Sequence, residues 1–285
     1  MNIKNVTVLG SGLMGRGIAQ VCAQGGFQVK LNDINMGILN KAHDIIVKNL
    51  RKGVQIGKVK QEVMDSTLSN LSLEDNFEEA VTKADLVIEA VPEDLQLKLD
   101  IFGKLDKMCP EHTILATNTS AKSITEIAAV TKRQEKVIGL HFFNPVHLMK
   151  LVEIVKGLGT SEETYDLSER ACRQMGKETV KINEYPGFVT SRINAMIGNE
   201  AFHMLEQGVG SAEDIDKALK LGLNHPMGPF ELIDVVGLDT RLKVLEHLHE
   251  TLGEKFRPSP LLVKYVKAGR LGRKVGKGVY EYPEN

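Results

Sequence analysis

Residues 5–15 read NVTVLGSGLMG: a β-branched apolar run, Asn5–Leu9, leads straight into Gly10-Ser11-Gly12-Leu13-Met14-Gly15. The run predicts a short strand, and IAQVCAQ at 18–24 predicts a helix beyond the glycines. A G-x-G-x-x-G turn between strand and helix has a physical use for each glycine. The first permits the tight turn, the second lets backbone approach a pyrophosphate, and the third allows helix to pack on strand. The helix N-terminus then attracts the phosphates. Asp33 follows a second predicted strand at 27–31 and stands 18 residues after Gly15, near the spacing expected for a carboxylate on ribose hydroxyls. A carboxylate there would repel a 2′-phosphate, and the nearest downstream cation is Lys41. The pattern therefore predicts NAD, with Gly10, Gly12, Leu13, Met14, Gly15 and Asp33 as its contacts.

Outward from this unit the chain keeps alternating. Ile38, Ala42, Ile45, Ile46 and Leu50 stripe one face of a long helix. Further strands are predicted at 86–91 (LVIEAV), 113–117 (TILAT) and 136–140 (KVIGL), and 151–155 and 179–182 extend the series. Strands alternating with helices predict an α/β fold with a Rossmann-like, doubly wound and mostly parallel sheet. At Tyr185-Pro186-Gly187 the texture changes. Helices are predicted at 188–207, 212–221 and 229–252, the second opened by Ser211 with Asp214 three residues on. A strand signal returns only at 279–282. The boundary falls near residue 184, giving a dinucleotide-binding domain at 1–184 and an all-helical C-terminal domain at 185–285.

The chain has 285 residues, enough for two such domains. Thirty-six Lys plus Arg stand against 37 Asp plus Glu, so no global field steers it to nucleic acid or to an anionic membrane. No apolar run approaches the roughly 18 residues that span a bilayer. The opening MNIKNVTVLG enters the first strand almost at once, which leaves no room for a signal or transit peptide. Cys22, Cys109 and Cys172 are odd in number and far apart, the pattern of reduced, buried thiols. A cytoplasmic globular protein is expected.

Of eight histidines, His43, His203, His247 and His249 lie in helical stretches among polar neighbours. No H-E-x-x-H or C-x-x-C occurs, so no protein-held metal is expected. His141 differs, because it follows the apolar run 137–140, and the carboxyl ends of strands in a doubly wound sheet face the ligand crevice. An imidazole with an ordinary pKa of about 6.5 suits proton transfer near neutrality. Glu153 lies 12 residues on, inside the aliphatic run LVEIV, where a carboxylate needs a partner. Spacing alone leaves a structural and a catalytic reading of this pair equally open.

These residues resemble the L-3-hydroxyacyl-CoA dehydrogenases, and the resemblance runs through essentially the whole chain. It is carried by VLGSGLMGRGIAQ, DLVIEAVPED at 85–94, ATNTSA at 116–121 and HFFNPVHLMKLVEIV at 141–155. It continues through YPGFVTSRI at 185–193, NHPMGPFELIDVVGLDT at 224–240 and GRLGRKVGKGVYEY at 269–282. HFFNP with the downstream KLVE is the most diagnostic, and the length is similar to that of the monofunctional bacterial branch. The resemblance implies that His141 is the catalytic base, that Glu153 orients it, and that Ser120 hydrogen-bonds the substrate oxygen. It also implies cofactor contacts at Glu93, Lys98, Ser120, Asn144 and Lys274. A short-chain acyl-CoA substrate is implied, its nucleotide meeting the basic segment of Lys48, Arg51, Lys52, Lys58 and Lys60. Asn49 there replaces a usual Ser, and Asn49, Lys52 and Lys58 are the expected contacts. Family members commonly dimerise through the helical domain, where Phe188, Ile193, Met196, Ile197 and Phe202 would serve as an apolar face or as internal core.

The chain departs from the family pattern at three of these places. Ser191 stands where the family usually has a substrate-reaching Asn, Ala121 replaces Ser, and His147 replaces Pro. Serine is shorter and has a hydroxyl in place of an amide, which puts rate or substrate preference in question. Two alternatives follow: a dehydrogenase of a non-thioester 3-hydroxy acid, and a dinucleotide-binding protein without catalysis.

Overall fold

The computed structural model describes residues 2–282; the outermost ends of the two expected domains, residues 1 and 283–285, lie outside the described residues. The chain divides into two compact units, Met1–Glu184 and Tyr185–Asn285.

The first unit is built on one eight-stranded sheet. Its strands are β1 (Asn5–Leu9), β2 (Gln28–Asn32), β3 (Leu71–Glu74), β4 (Leu86–Glu89), β5 (Ile114–Thr117), β6 (Val137–Phe142), β7 (Leu151–Lys156) and β8 (Glu178–Asn183). Their order is β3-β2-β1-β4-β5-β6-β7-β8. All neighbours are parallel except β6 and β7. The helices are α1 (Leu13–Gln24), α2 (Met36–Gln55), α3 (Gln61–Ser69), α4 (Phe77–Val81), α5 (Leu95–Met108), α6 (Ile124–Ala129) and α7 (Glu162–Gln174). Helices cover the sheet, so β4, β5 and β6 are buried along their whole length. The order reverses between β1 and β4, the switch point where such sheets open a crevice beyond their carboxyl ends.

Two readings of the sequence are corrected here. The face that α2 buries is Leu39, Ala42, Ile46 and Leu50. Ile38 and Ile45, assigned to the stripe, are 38% and 37% exposed, because Leu39 competes for the same row at helical spacing. Strand β3 (LSLE) escapes the pattern, since it has four residues, only the first of them buried, and lies at the sheet edge. The three cysteines are free and buried as expected.

The second unit is helical: α8 (Thr190–Glu206), α9 (Ala212–Gly222), α10 (Pro229–Val236), α11 (Leu238–Leu252) and α12 (Pro260–Lys267). Phe202, Phe230, Leu238, Leu245, Leu248 and Phe256 form its centre. The helix predicted at 229–252 breaks into α10 and α11 at Gly237, whose φ of 103° lies in a region that L side chains avoid. Ser211 caps α9 as expected, its Oγ accepting the Asp214 N–H at 3.1 Å. The strand signal at 279–282 becomes bridges between Gly272 and Lys277 and between Lys277 and Glu281.

Candidate active site

The glycine-rich turn joins β1 to α1, and its geometry separates the roles of the glycines. A Cβ on Gly10, at φ +89°, would lie 2.7 Å from the carbonyl oxygen of Ala90, and one on Gly15 would lie 1.7 Å from that of Gly10. Both glycines are therefore required by the fold. A Cβ on Gly12 would meet nothing within 4 Å, so the open space there suits a ligand approaching backbone. Asn35, Asp94 and Ser123 cap α2, α5 and α6 with side-chain oxygens, whereas Gly12 gives α1 no side-chain cap. The first N–H groups of α1 thus need acceptors, and with no acidic residue in the first turn a pyrophosphate fits them.

Asp33 follows β2. Its Oδ2 accepts both the N–H and the Oγ–H of Ser11 at 2.7 Å, and Oδ1 accepts the Ile34 N–H at 2.8 Å. Partial burial pushes its carboxyl up, but the three hydrogen bonds outweigh it and hold the group below the usual range. Ser11, 2% exposed, thereby ties the glycine-rich turn to Asp33, and its signal in the sequence is a small hydroxyl residue between two glycines.

His141 lies within β6, one strand position earlier than the end, and Glu153 is its register partner on β7. The antiparallel turn between these strands is what converts a 12-residue separation into contact. Nδ1 of His141 lies 2.7 Å from Oε2 of Glu153, with the side chains 9% and 0% exposed. When Glu153 is ionised it can only accept, which places a proton on Nδ1 and leaves Nε2 as the ring atom for proton exchange. The Phe143 ring packs 4.5 Å from the imidazole, centroid to centroid.

Ser120 sits on the loop after β5. Its N–H donates to Oε1 of Glu93 at 3.0 Å, and the Thr119 hydroxyl donates to the same oxygen. The Asn118 Oδ1 accepts the Phe142 N–H at 2.9 Å, tying this loop to the strand that carries His141. Burial pushes the Glu93 carboxyl up, but the Lys98 ammonium and the Thr119 and Ser120 donors overcome it and hold it low. Lys98, expected at the cofactor, is 1% exposed, and its ammonium lies 2.7 Å from Glu89 and 3.2 Å from Glu93. Glu89 carries in the sequence the same signal as Glu153, a carboxylate inside an aliphatic strand run.

The remaining residues divide between the units. Asn144 is exposed and precedes a cis peptide bond to Pro145. The loop after it is held by Lys177, whose ammonium donates to the Val146 and Met149 carbonyls at 2.5 and 2.8 Å. Half-buried Asn49 and exposed Lys52 lie near the end of α2, and exposed Lys58 on the turn that folds back on Gly53. Among the described residues none of the five basic side chains of this segment is in an ion pair. In the helical unit, Ser191 is half-buried at the start of α8. Lys274 is bound by Asp239, its Nζ 2.6 and 2.7 Å from the two carboxylate oxygens. Phe202 belongs to the core, packed edge-on against Phe230, and Phe188 is buried, whereas Ile193 and Met196 are exposed. Among the described residues no cluster of three or more His, Cys, Asp or Glu side chains could hold a metal, and no helix is long and apolar enough to cross a membrane.

Comparison with known proteins agrees with this architecture. The family profile described as "3-hydroxyacyl-CoA dehydrogenase, NAD binding domain" matches residues 5–185, and "3-hydroxyacyl-CoA dehydrogenase, C-terminal domain" matches residues 187–282. The chain is 48% identical over 285 residues to a probable 3-hydroxybutyryl-CoA dehydrogenase of Bacillus subtilis, covering 100% of this chain and 99% of that one. It is 45% identical to the mitochondrial hydroxyacyl-coenzyme A dehydrogenase of Rattus norvegicus, covering 98% and 91% of the two chains. The crystal structure of (S)-3-hydroxybutyryl-CoA dehydrogenase from Ralstonia eutropha superposes with a TM-score of 0.96 at 41% identity, covering 99% of this chain and 100% of that one. With family domains matched at residues 5–185 and 187–282 and a full-length relative at 48% identity, the chain belongs to the 3-hydroxyacyl-CoA dehydrogenase family and is an NAD-dependent oxidoreductase.

Proposed function

We propose that the chain interconverts L-(S)-3-hydroxybutyryl-CoA and acetoacetyl-CoA, with His141 as acid and base. The observation that carries this reading is the buried cross-strand contact of 2.7 Å between His141, near the carboxyl end of β6, and Glu153, near the amino end of antiparallel β7. Bound NAD supplies the acceptor for the hydride leaving C3. As that bond breaks, His141 Nε2 takes the 3-hydroxyl proton, so the oxygen becomes a ketone without passing through a free alkoxide. Glu153 orients the ring through Nδ1 and meets the positive charge that the imidazole gains. In the reverse direction Nε2–H polarises the ketone oxygen and then protonates it. Ser120 Oγ donates to the same oxygen, where negative charge builds in the transition state.

Glycines 10, 12 and 15 with Leu13 and Met14 receive the pyrophosphate of NAD, and Asp33 receives its adenine ribose. Within the first unit Glu93 and Asn144 extend the cofactor site, and Lys98, 1% exposed, serves it through Glu93. The cations Lys52 and Lys58, in no ion pair among the described residues, suit with Asn49 the phosphates of CoA. In this reading residues 1–184 bind NAD, and residues 185–285 bind substrate and pair two copies into a homodimer. Support for pairing comes from Ile193 and Met196, 52% and 39% exposed on α8, and from Leu221 and Leu223 at the end of α9, 76% and 65% exposed. Three free cysteines support a reducing compartment, the cytoplasm.

The test is NADH oxidation by the purified protein with acetoacetyl-CoA beside free acetoacetate. Turnover with the thioester and little with the free acid is the expected outcome. Turnover with the free acid alone would move the assignment to a non-thioester 3-hydroxy acid, and silence with both would remove catalysis.

A further inference from the structure

The carboxylate of Glu89 is 0% exposed, at the carboxyl end of β4, and nothing in the proposed chemistry uses it. Both of its oxygens are committed. Oε1 accepts the Val91 N–H at 2.8 Å and the Lys98 ammonium at 2.7 Å, and Oε2 accepts the Thr117 hydroxyl at 2.7 Å. Register explains the last contact, since Thr117 on β5 is the direct partner of Glu89 on β4. A buried carboxylate paired with a buried ammonium is weak evidence for stability, because desolvation of both charges offsets most of their attraction. The value of such an arrangement lies in what its fixed directions hold.

From Glu89 two arms run to one place. Through Oε1 the first arm reaches Lys98, which bridges to Glu93 at 3.2 Å, and Glu93 accepts the Thr119 hydroxyl and the Ser120 N–H. Through Oε2 the second reaches the Thr117 hydroxyl, which in turn accepts the Thr119 N–H at 3.3 Å. The Thr119 hydroxyl then accepts the N–H of Lys122 at 2.8 Å and that of Ala121 at 3.3 Å. One carboxylate thus fixes the loop after β4, by its Val91 and Lys98 contacts, and the loop after β5, by its Thr117 contact. The two loops close on each other at Ser120.

We infer that Glu89 is a positioning residue for the reaction: from inside the sheet it holds Lys98 and Thr117, and through them it sets the place of Ser120. The inference rests on the reading that Ser120 meets the substrate oxygen. A misplacement of about 1 Å at such a group is enough to lower turnover severely, while the glycine turn at 10–15 and the basic residues Lys52 and Lys58 lie outside the chain of contacts that starts at Glu89.

The experiment pairs a measurement without ligands with a measurement of rate. Amide hydrogen exchange of the NAD-free protein should show Ser120 and Lys122 exchanging about tenfold faster in Glu89→Gln, with the β1 amides of Val6–Leu9 unchanged. Turnover with acetoacetyl-CoA should fall about tenfold in the same variant, with the KM for the thioester moving less than about threefold. In a Ser120→Ala background the further effect of Glu89→Gln on kcat should shrink to less than about twofold, because the group it positions is gone. Should Glu89→Gln fail to fold, Thr117→Val removes the second arm alone, and Thr117→Ser should restore both readouts. Unchanged Ser120 protection overturns the inference, and so does an equal loss of kcat with and without the Ser120 hydroxyl. Absence of thioester turnover in the unsubstituted protein overturns the reaction assignment instead, and the exchange measurement then still decides whether Glu89 holds the loop.

Discussion

Glu153 in the first unit and Asp234 in the second are both sealed carboxylates, 0% and 1% exposed, yet they are partnered differently. Glu153 faces an imidazole, a ring that can both give and take a proton. Among the described residues Asp234 faces groups that do not: Oδ1 accepts the Val279 N–H at 2.8 Å, and Oδ2 accepts the Tyr280 N–H and the Tyr282 hydroxyl at 2.9 Å. Asp216 repeats that pattern with the N–H groups of Phe230 and Glu231 and the Tyr280 hydroxyl. Burial alone therefore says nothing about chemistry. The partner's ability to take or give a proton is what separates a carboxylate suited to proton chemistry from one that staples residues 279–282 to a helix.

The contrast is broken most directly by exchanging the expected consequences. His141→Ala should lower turnover about a thousandfold, the range general acid–base groups supply, while NADH binding by fluorescence changes less than about threefold. Near-normal turnover would remove His141 from the mechanism and leave the cross-strand pair structural. Asp234→Ala should do the reverse. It strands two backbone N–H groups and a phenol, and should cost about 3 kcal/mol of stability in urea denaturation, with turnover per folded molecule retained. Loss of activity without loss of stability would make Asp234 part of the chemistry.

How much of this contrast is legible before folding depends on which group makes each site. The phosphate cradle is written locally, as a strand, three glycines and Asp33 within the first 33 residues, and the fold leaves little freedom there. The His141–Glu153 pair is half-legible: a carboxylate in an aliphatic run demands a partner, but only the reversal of β7 against β6 says which. Glu89 emits the same signal in LVIEAV and has no histidine near it in sequence, so its partners, on a helix and on another strand, stay hidden until β4 and β5 pair. Asp216 and Asp234 sit in ordinary helical text, and the backbone groups they satisfy lie 14 to 46 residues away. The break at Gly237 fails for a different reason, because a lone glycine inside a helical pattern is often tolerated.

Asp33 stands between the two classes, a carboxylate that binds backbone and is assigned to a ligand. Asp33→Ala should weaken NADH about tenfold in a fluorescence titration, with acyl-CoA affinity much less affected. Part of that loss would come from releasing Ser11, so Ser11→Ala, which removes one of three hydrogen bonds to Asp33, should weaken NADH by less. Unchanged affinity in Asp33→Ala would refute the ribose role.

Acid titration sharpens the comparison with a smaller effect of opposite sign in the two units. Glu93 and Asp33 are held below their ordinary values of 4.5 and 3.8, so below those values the unfolded chain takes up protons first. Their stabilisation, present above those values, is lost as pH falls through the folded pKa. Asp216 is shifted upward from 3.8, by burial above all, so the folded state takes up its proton first and gains stability as pH falls. Glu93→Gln should therefore flatten the decline in stability on acidification, and Asp216→Asn should steepen it. Slopes that move the other way in urea titrations would reverse the assigned balance between burial and hydrogen bonding.

Arg241 is the limiting case, a charge buried on α11 and 5% exposed, whose buried Nε has no hydrogen-bond partner among the described residues. Burial alone draws the guanidinium down to about 10. For a base with a lowered folded pKa, the penalty on the charged form is fully present below that value and relieved as pH rises through it. A methionine keeps most of the unbranched stem and removes the desolvated charge, so Arg241→Met should raise stability by about 1 kcal/mol at neutral pH, read as a higher urea midpoint. Turnover should be unaffected, because no group in the proposed chemistry is invoked there. A lower midpoint would mean that the remaining guanidinium nitrogens hold the helical unit together as Asp234 does, and Arg241 would then join the stapling class.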